Sequence, residues 1–217
     1  MKNVFTILIL VFAIMLISFC STPKRGSLFN GKNLDGWEII KAEDSLNQDQ
    51  AWSVRDGVIY CKGAPKGYIC TTTEYSNFIL YLDWRWVDQP GNSGVLLHAQ
   101  KPDQVWPQCI ECQLKNESAG DFVLIGTGAI TVAEQKHENP EGFLVIPKMA
   151  GSSEKTVGEW NNYKIISKDG SITCYVNDVL QNDGSNASLT KGNICLQSEG
   201  APIEFKNIVI EILDDSK

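Results

Sequence analysis

Histidine is scarce in this chain, with two copies among 217 residues. Positive charge is also in deficit: 19 lysines and arginines face 26 aspartates and glutamates, a net charge of −7. A nucleic-acid surface needs a basic footprint, so this balance excludes that class of partner. No basic run marks a membrane surface or a polyanion either. Beyond residue 19 no apolar run approaches the roughly 20 residues that a spanning helix needs. Sustained 3.6-residue periodicity with helix caps is absent, as are internal repeats and low-complexity tracts. What remains is 43% hydrophobic with 18 glycines, enough for one domain with a substantial core and short for two.

Two further absences concern chemistry. Cys109 and Cys112 have the spacing of half a zinc site, yet no second CxxC and no HxxxH accompanies them. The E-x-D-x-x-E and E-x-D-x-E strand motifs of laminarinase-like glucanases are missing too. Ordinary retaining hydrolysis, which sets two carboxyl groups about 5–5.5 Å apart, is therefore disfavoured.

The N-terminus carries a signal. Lys2 precedes an apolar run from Val4 to Phe19, and Cys20, Ser21, Thr22 and Pro23 follow. This is the pattern of an export segment. A cysteine directly after Ile17-Ser18-Phe19 resembles a bacterial lipoprotein signal, in which Cys20 is lipidated and becomes the mature N-terminus. An ordinary signal peptide cut nearby and an uncleaved anchor are the alternatives, and the run is short for the anchor. Residues 1–20 are thus read as signal, 21–26 as tether and 27–217 as one domain. The expectation is an exported monomer in the periplasm or at the outer membrane, touching membrane only through its lipid. Six cysteines of seven then remain in the fold, and an exported compartment permits disulfides. Cys61 and Cys70 flank the Gly63–Gly67 turn and are candidates for a bridge across a hairpin. Cys112, Cys174 and Cys195 read as small buried residues in strands.

From Ser27 onward turn signals recur and strands dominate. Residues 78–86 alternate, with Phe78, Leu80, Leu82, Trp84 and Trp86 on one face and Ile79, Tyr81, Asp83 and Arg85 on the other. Asp56-Gly57, Lys168-Asp169-Gly170 and Asn177-Asp178 read as hairpin turns. Residues 133–159 carry Pro140, Pro147 and few periodic positions, and read as one long irregular segment. The pattern predicts an all-β sandwich.

The stretch from Gly91 to Gly126 is the richest in chemistry. Alternation puts Cys109, Glu111 and Gln113 on one strand face and Ile110, Cys112 and Leu114 on the other. His98 ends the preceding strand. Tyr81, Asp83, Arg85, His98, Glu111, Gln113, Gln197 and Glu199 are read together as one polar sheet face. For each charged residue alone, a solvated surface is the plainer explanation. Jointly, carboxylates, amides, an arginine and aromatic rings suit a polyhydroxylated ligand, with Trp106 either a stacking platform or a loop anchor.

At this point a resemblance becomes specific. LFNGKNLDGW, GNSGVLLH, WPQCIECQL followed by AGDFVLIG, GEWNNYKI and KGNICLQSEGAPIEFKNIVI together resemble the 3-keto-disaccharide hydrolase domain family, over residues 27 to 213. The resemblance implies a concanavalin-like jelly roll of two antiparallel sheets and export as a lipoprotein. It also implies cleavage of 3-keto-glycosides. The keto group acidifies the C2 hydrogen, a base removes it, the enolate expels the C1 substituent, and water adds later. Such a reaction needs a base, an enolate stabiliser and a proton donor. On this reading Glu111 or His98 is the base. Arg85 or a bound divalent metal (calcium, manganese or zinc) stabilises the enolate. Gln113, Gln197 and Glu199 hold hydroxyls. Asp121 either orients Arg85 or His98 or is a turn carboxylate accepting backbone N–H groups. His137, in the long segment, is either a swinging member of the site or a surface residue. Relatives commonly carry arginine where His98 and Lys206 stand. The rival reading is a carbohydrate-binding module without turnover. A structural surface lipoprotein would need an apolar face where this one is polar.

Overall fold

A computed structural model describes residues 24–40, 51–100 and 105–214. The signal segment, Cys20 and all but the last residues of the tether lie outside them. The described residues contain no helix. They form seventeen strands: β1 (Lys24–Ser27), β2 (Trp37–Ile40), β3 (Trp52–Arg55), β4 (Val58–Cys61), β5 (Gly67–Tyr75), β6 (Phe78–Trp86), β7 (Gly94–Gln100), β8 (Gln108–Gln113) and β9 (Phe122–Ile125), then β10 (Gly128–Val132), β11 (Gln135–Asn139), β12 (Phe143–Ile146), β13 (Asn161–Lys168), β14 (Ser171–Val176), β15 (Val179–Ser185), β16 (Gly192–Ser198) and β17 (Ile203–Ile212). The larger sheet runs β11-β10-β15-β14-β13-β6-β17-β4-β3, with β1 added along β17, and the smaller runs β12-β9-β8-β7-β16-β5-β2. Every pairing between the described strands is antiparallel, as the expected sandwich requires.

Period-2 patterning explains the layers. Along β6 burial alternates strictly, with Phe78, Leu80, Leu82, Trp84 and Trp86 inside. They meet Ile110, Cys112, Leu114, Phe122 and Leu124 from the smaller sheet and Tyr163, Ile165, Ile172 and Cys174 from the larger in one core. Each such fully buried large side chain contributes roughly 1.5–3 kcal/mol. The Cys174 and Cys112 sulfurs, one from each sheet, lie 3.1 Å apart at its centre.

The hairpin turns are as expected. Asp56, Asp169, Asn177 and Asp178 have positive φ, as the two-residue turns that join twisted strands demand. One turn of the same kind departs from its usual chemistry: Ala133 and Glu134 take φ values of 49° and 64° between β10 and β11. Neither residue signals such a turn, so the sequence reads as irregular there. Residues 133–159 in fact hold all of β11 and β12, which pair with β10 and β9.

The cysteines differ from expectation as well. Cys70 is bonded to Cys195, its direct cross-strand neighbour on β5 and β16, and not to Cys61. Cys61 is a buried thiol that accepts the Gly63 N–H, and burial pushes its pKa up to about 11. β4 and β5 belong to different sheets, so Cys61 and Cys70 do not face each other across a hairpin, whereas the β5–β16 ladder sets Cys70 directly opposite Cys195.

Candidate active site

The smaller sheet has a second buried cluster on the face turned away from the sandwich core. It comprises Ile40, Tyr68, Cys70, Leu96, Ala99, Cys109, Val123, Ile125 and Cys195, with Trp106 packed against it. Glu111 belongs to this face by alternation between Cys109 and Gln113, as the sequence indicates. Cross-strand register arranges the face in rows. One row runs Glu38–Cys70–Cys195–Leu96–Glu111–Val123–Val145. The next contains Tyr68 opposite Gln197 and Gly94 opposite Gln113. A third begins where Asn92 bridges Glu199.

Glu111 is only 3% exposed, and its Oε1 has no hydrogen-bond partner. The carboxyl leans over Gly94, where an added Cβ would come within 2.6 Å of its Cδ. Only glycine leaves that space. Burial, and secondarily the negative charge of Glu199, raise the Glu111 pKa to about 8. Glu199 itself is held from both sides: Lys66 Nζ donates to Oε1 at 2.6 Å and Asn92 Nδ2 to Oε2 at 2.8 Å. Two other buried oxygens nearby in the rows, Gln197 Oε1 and Asn92 Oδ1, also lack partners. Gln113 Oε1 accepts the Leu114 and Lys115 N–H groups, so Gln113 has its NH2 group to offer a ligand. A buried acceptor without a donor costs about 1–3 kcal/mol. Three of them on adjacent rows describe a surface built to receive hydroxyl groups.

The structure therefore brings together Glu111, Gln113, Gln197 and Glu199 and separates the rest of the expected face. Tyr81, Asp83 and Arg85 lie on β6, which belongs to the larger sheet, and face outward there. Each is engaged locally: Arg25 sits over the Tyr81 ring, Asn162 and Asn207 donate to Asp83, and Arg85 pairs with Glu204 at 2.7 Å and lies over Trp160. The chain crosses between sheets after β6, a long-range choice that alternation does not report.

His98 is displaced for a local reason. Its φ of 53° marks a bulge where the register of β7 shifts against both neighbours. Alternation breaks there and the ring turns inward, against Phe78. Nδ1–H donates to the Tyr75 carbonyl at 3.3 Å, so Nε2 accepts from the Ser167 hydroxyl at 2.8 Å. Burial lowers its pKa to about 4. His98 is a buried neutral strut, not a base. His98→Ala should lower the urea midpoint by an amount equivalent to about 2–4 kcal/mol while leaving kcat within threefold. A hundredfold loss of kcat in the folded variant would return His98 to the chemistry.

Asp121 closes a turn through its N–H to the Ser118 carbonyl, and its Oδ1 accepts the N–H of Lys148, in the segment after β12, at 2.8 Å. Trp106 lies edge-on to Phe143 at the apolar end of the face, with centroids 6.1 Å apart. His137 is on β11, at an edge of the larger sheet. Lys66, Asn92, Tyr68 and Gly94 were not singled out by the sequence. For Asn92 and Gly94 the signal was their place in the GNSG segment leading into β7. A groove lined by Gln108, Thr127, Ala129, Asn139 and Leu189, and another by Asn116, Ser152, Glu154 and Lys155, lie apart from these residues.

Comparison with known proteins identifies the family and the fold. The model of a family described as a 3-keto-alpha-glucoside-1,2-lyase-like domain matches residues 24–211. A provisionally assigned glycosyl hydrolase from Parabacteroides distasonis is 26% identical, with 88% of this chain and 94% of that one covered and a TM-score of 0.65. A carbohydrate binding module from Bacillus subtilis (16% identity, 81% and 95% covered, TM-score 0.58) and a Bacillus licheniformis beta-glucanase (12%, 90% and 100%, 0.57) share the fold. No curated protein matches the chain.

Proposed function

Because the chain belongs to the family of 3-keto-alpha-glucoside-1,2-lyase-like domains, we propose that it cleaves 3-keto-α-glucosides by elimination, with Glu111 as the base. The observation that carries this reading is the buried, unpartnered Glu111 carboxyl, with its pKa raised to about 8. A carboxylate at that pKa is a far stronger base than an exposed one, and it operates near neutral pH.

Glu111 takes the proton from C2, and the C2–H electrons pass toward the C3 oxygen as an enolate. The C3 carbonyl then re-forms, a C1–C2 double bond appears and the C1–O bond breaks. The proton held by Glu111 leaves with the departing oxygen. Hydration afterwards places hydroxide on C1 and a proton on C2. The Lys66 ammonium and the Gln113 NH2 group are the described donors for the enolate oxygen. Gln197, Asn92 and Glu199 hold hydroxyls. Arg85 and His98 take no part, for the positional reasons above. Among the described residues no three His, Cys, Asp or Glu side chains gather as a metal site, and Glu199 is already tied to Lys66. No step of the proposal is routed through a metal.

Export with a lipid on Cys20 accompanies the proposal. The Cys70–Cys195 disulfide supports it, since such bonds persist in oxidising compartments.

The test is an assay of 3-keto-α-glucosides and their unoxidised parents, with and without chelator. Cleavage of the keto compounds alone is expected, and its loss with chelator would bring a metal into the site. Cleavage of the parents alone would overturn the elimination reading, and millimolar sugar binding without any turnover would make the protein a binding module.

A further inference from the structure

The face around Glu111 is polar at one end and apolar at the other, and the change occurs at Glu111 itself. On one side stand Lys66, Asn92, Glu199, Gln197 and Gln113. Beyond Glu111 its own row continues as Val123 and Val145. The following row runs Cys109–Ile125–Phe143, with Trp106 against it. Phe143 is 59% exposed and Val145 53%. They stand side by side on one face of β12, two strands from β8. Strand spacing puts them about 10 Å from the Glu111 row position, the reach of one ring beyond a sugar.

Resting on the elimination reading, we propose that this apolar corner receives the leaving group, and that the leaving group is an aromatic ring and not a second sugar. Two observations point there. Phe143 and Val145, the exposed side chains of that corner, offer no partner to the hydroxyls of a second sugar, and stripping those hydroxyls of water without replacement is costly. An aryl ring carries no such cost and finds Phe143 and Trp106 to stack against. A phenolic oxygen also bears negative charge better than an alkoxide and so departs more readily. The balance is unchanged: C1–O breaks, its electron pair departs with the phenolic oxygen, and that oxygen takes the proton held by Glu111.

Phe143→Ser/Val145→Ser alters two exposed side chains on an edge strand, so the fold should survive, as its circular dichroism and thermal midpoint would show. Wild type and variant are assayed on 4-nitrophenyl 3-keto-α-glucoside and on a 3-keto-disaccharide. The expected result is a tenfold or greater fall in kcat/KM for the aryl substrate, mainly through KM, with the disaccharide changed less than twofold. Equal loss on both, or no loss on the aryl compound, overturns the inference. In that event Glu111→Gln, inactive on both substrates, would still uphold the elimination reading. Should wild type cleave neither, the elimination reading fails separately, and calorimetry decides on the corner. Phenyl α-glucoside binding no tighter than methyl α-glucoside overturns it. Tighter phenyl binding that disappears in the variant supports it.

Discussion

Glu111→Gln is expected to lower kcat on a 3-keto-α-glucoside by about 10²–10⁴-fold, the usual worth of a positioned general base, with KM changed little. Glutamine keeps the shape over Gly94 and removes only the ability to take a proton. In wild type, kcat/KM should rise with pH and level off above about 8, where the carboxyl ionises. The variant should lose that rise.

The same substitution makes a signed prediction for stability. The carboxyl's ordinary value is 4.5, and in the fold it is held near 8. Below pH 4.5 both folded and unfolded chains are protonated and the group is neutral to stability. Between 4.5 and 8 the unfolded chain ionises while the folded one retains its proton, so folding becomes steadily less favourable as pH rises. Glutamine does not ionise. Glu111→Gln should therefore be more stable than wild type at pH 8, by on the order of a few kcal/mol, and nearly equal to it at pH 4. Urea midpoints at the two values check this. A variant less stable at pH 8 would mean that a donor satisfies the wild-type carboxylate.

The second large effect concerns the disulfide. Cys70 and Cys195 are 125 residues apart in sequence, so the bond between them restricts a long loop of the unfolded chain. Its removal in Cys70→Ala/Cys195→Ala should cost about 2–5 kcal/mol, read from the urea midpoint. Reductant should bring wild type to the same midpoint and leave the variant unmoved. A cost below about 1 kcal/mol, or insensitivity to reductant, would contradict the assignment.

Much of the fold could be read from the sequence because it depends on local signals. Alternation in residues 78–86 gave the correct inner face, and Asp-Gly and Asn-Asp pairs gave the correct turns. The Ala133-Glu134 turn was hidden because its residues take left-handed backbone without the usual chemistry. Sheet membership was hidden for another reason. Period 2 says which way a side chain points from its own strand, not which sheet that strand joins. Tyr81, Asp83 and Arg85 therefore joined the expected site on paper and lie on the other sheet. Glu111, Gln113, Gln197 and Glu199 came out together because their strands lie in one sheet in register. His98 followed the alternation rule until a bulge, invisible to periodicity, turned its ring into the core. Lys66 entered the site only through the pairing of β5 with β16, a contact across more than a hundred residues.

The central claim is that Glu111 removes the C2 proton. It is tested most directly with a 3-keto-α-glucoside carrying deuterium at C2, cleaved by wild type and followed by NMR. The prediction is a severalfold slower reaction than with the protiated compound and a product whose C2 label has gone to solvent, with both signatures absent from Glu111→Gln. Cleavage at the same rate, with deuterium retained at C2, would place the chemistry at C1 alone and contradict it.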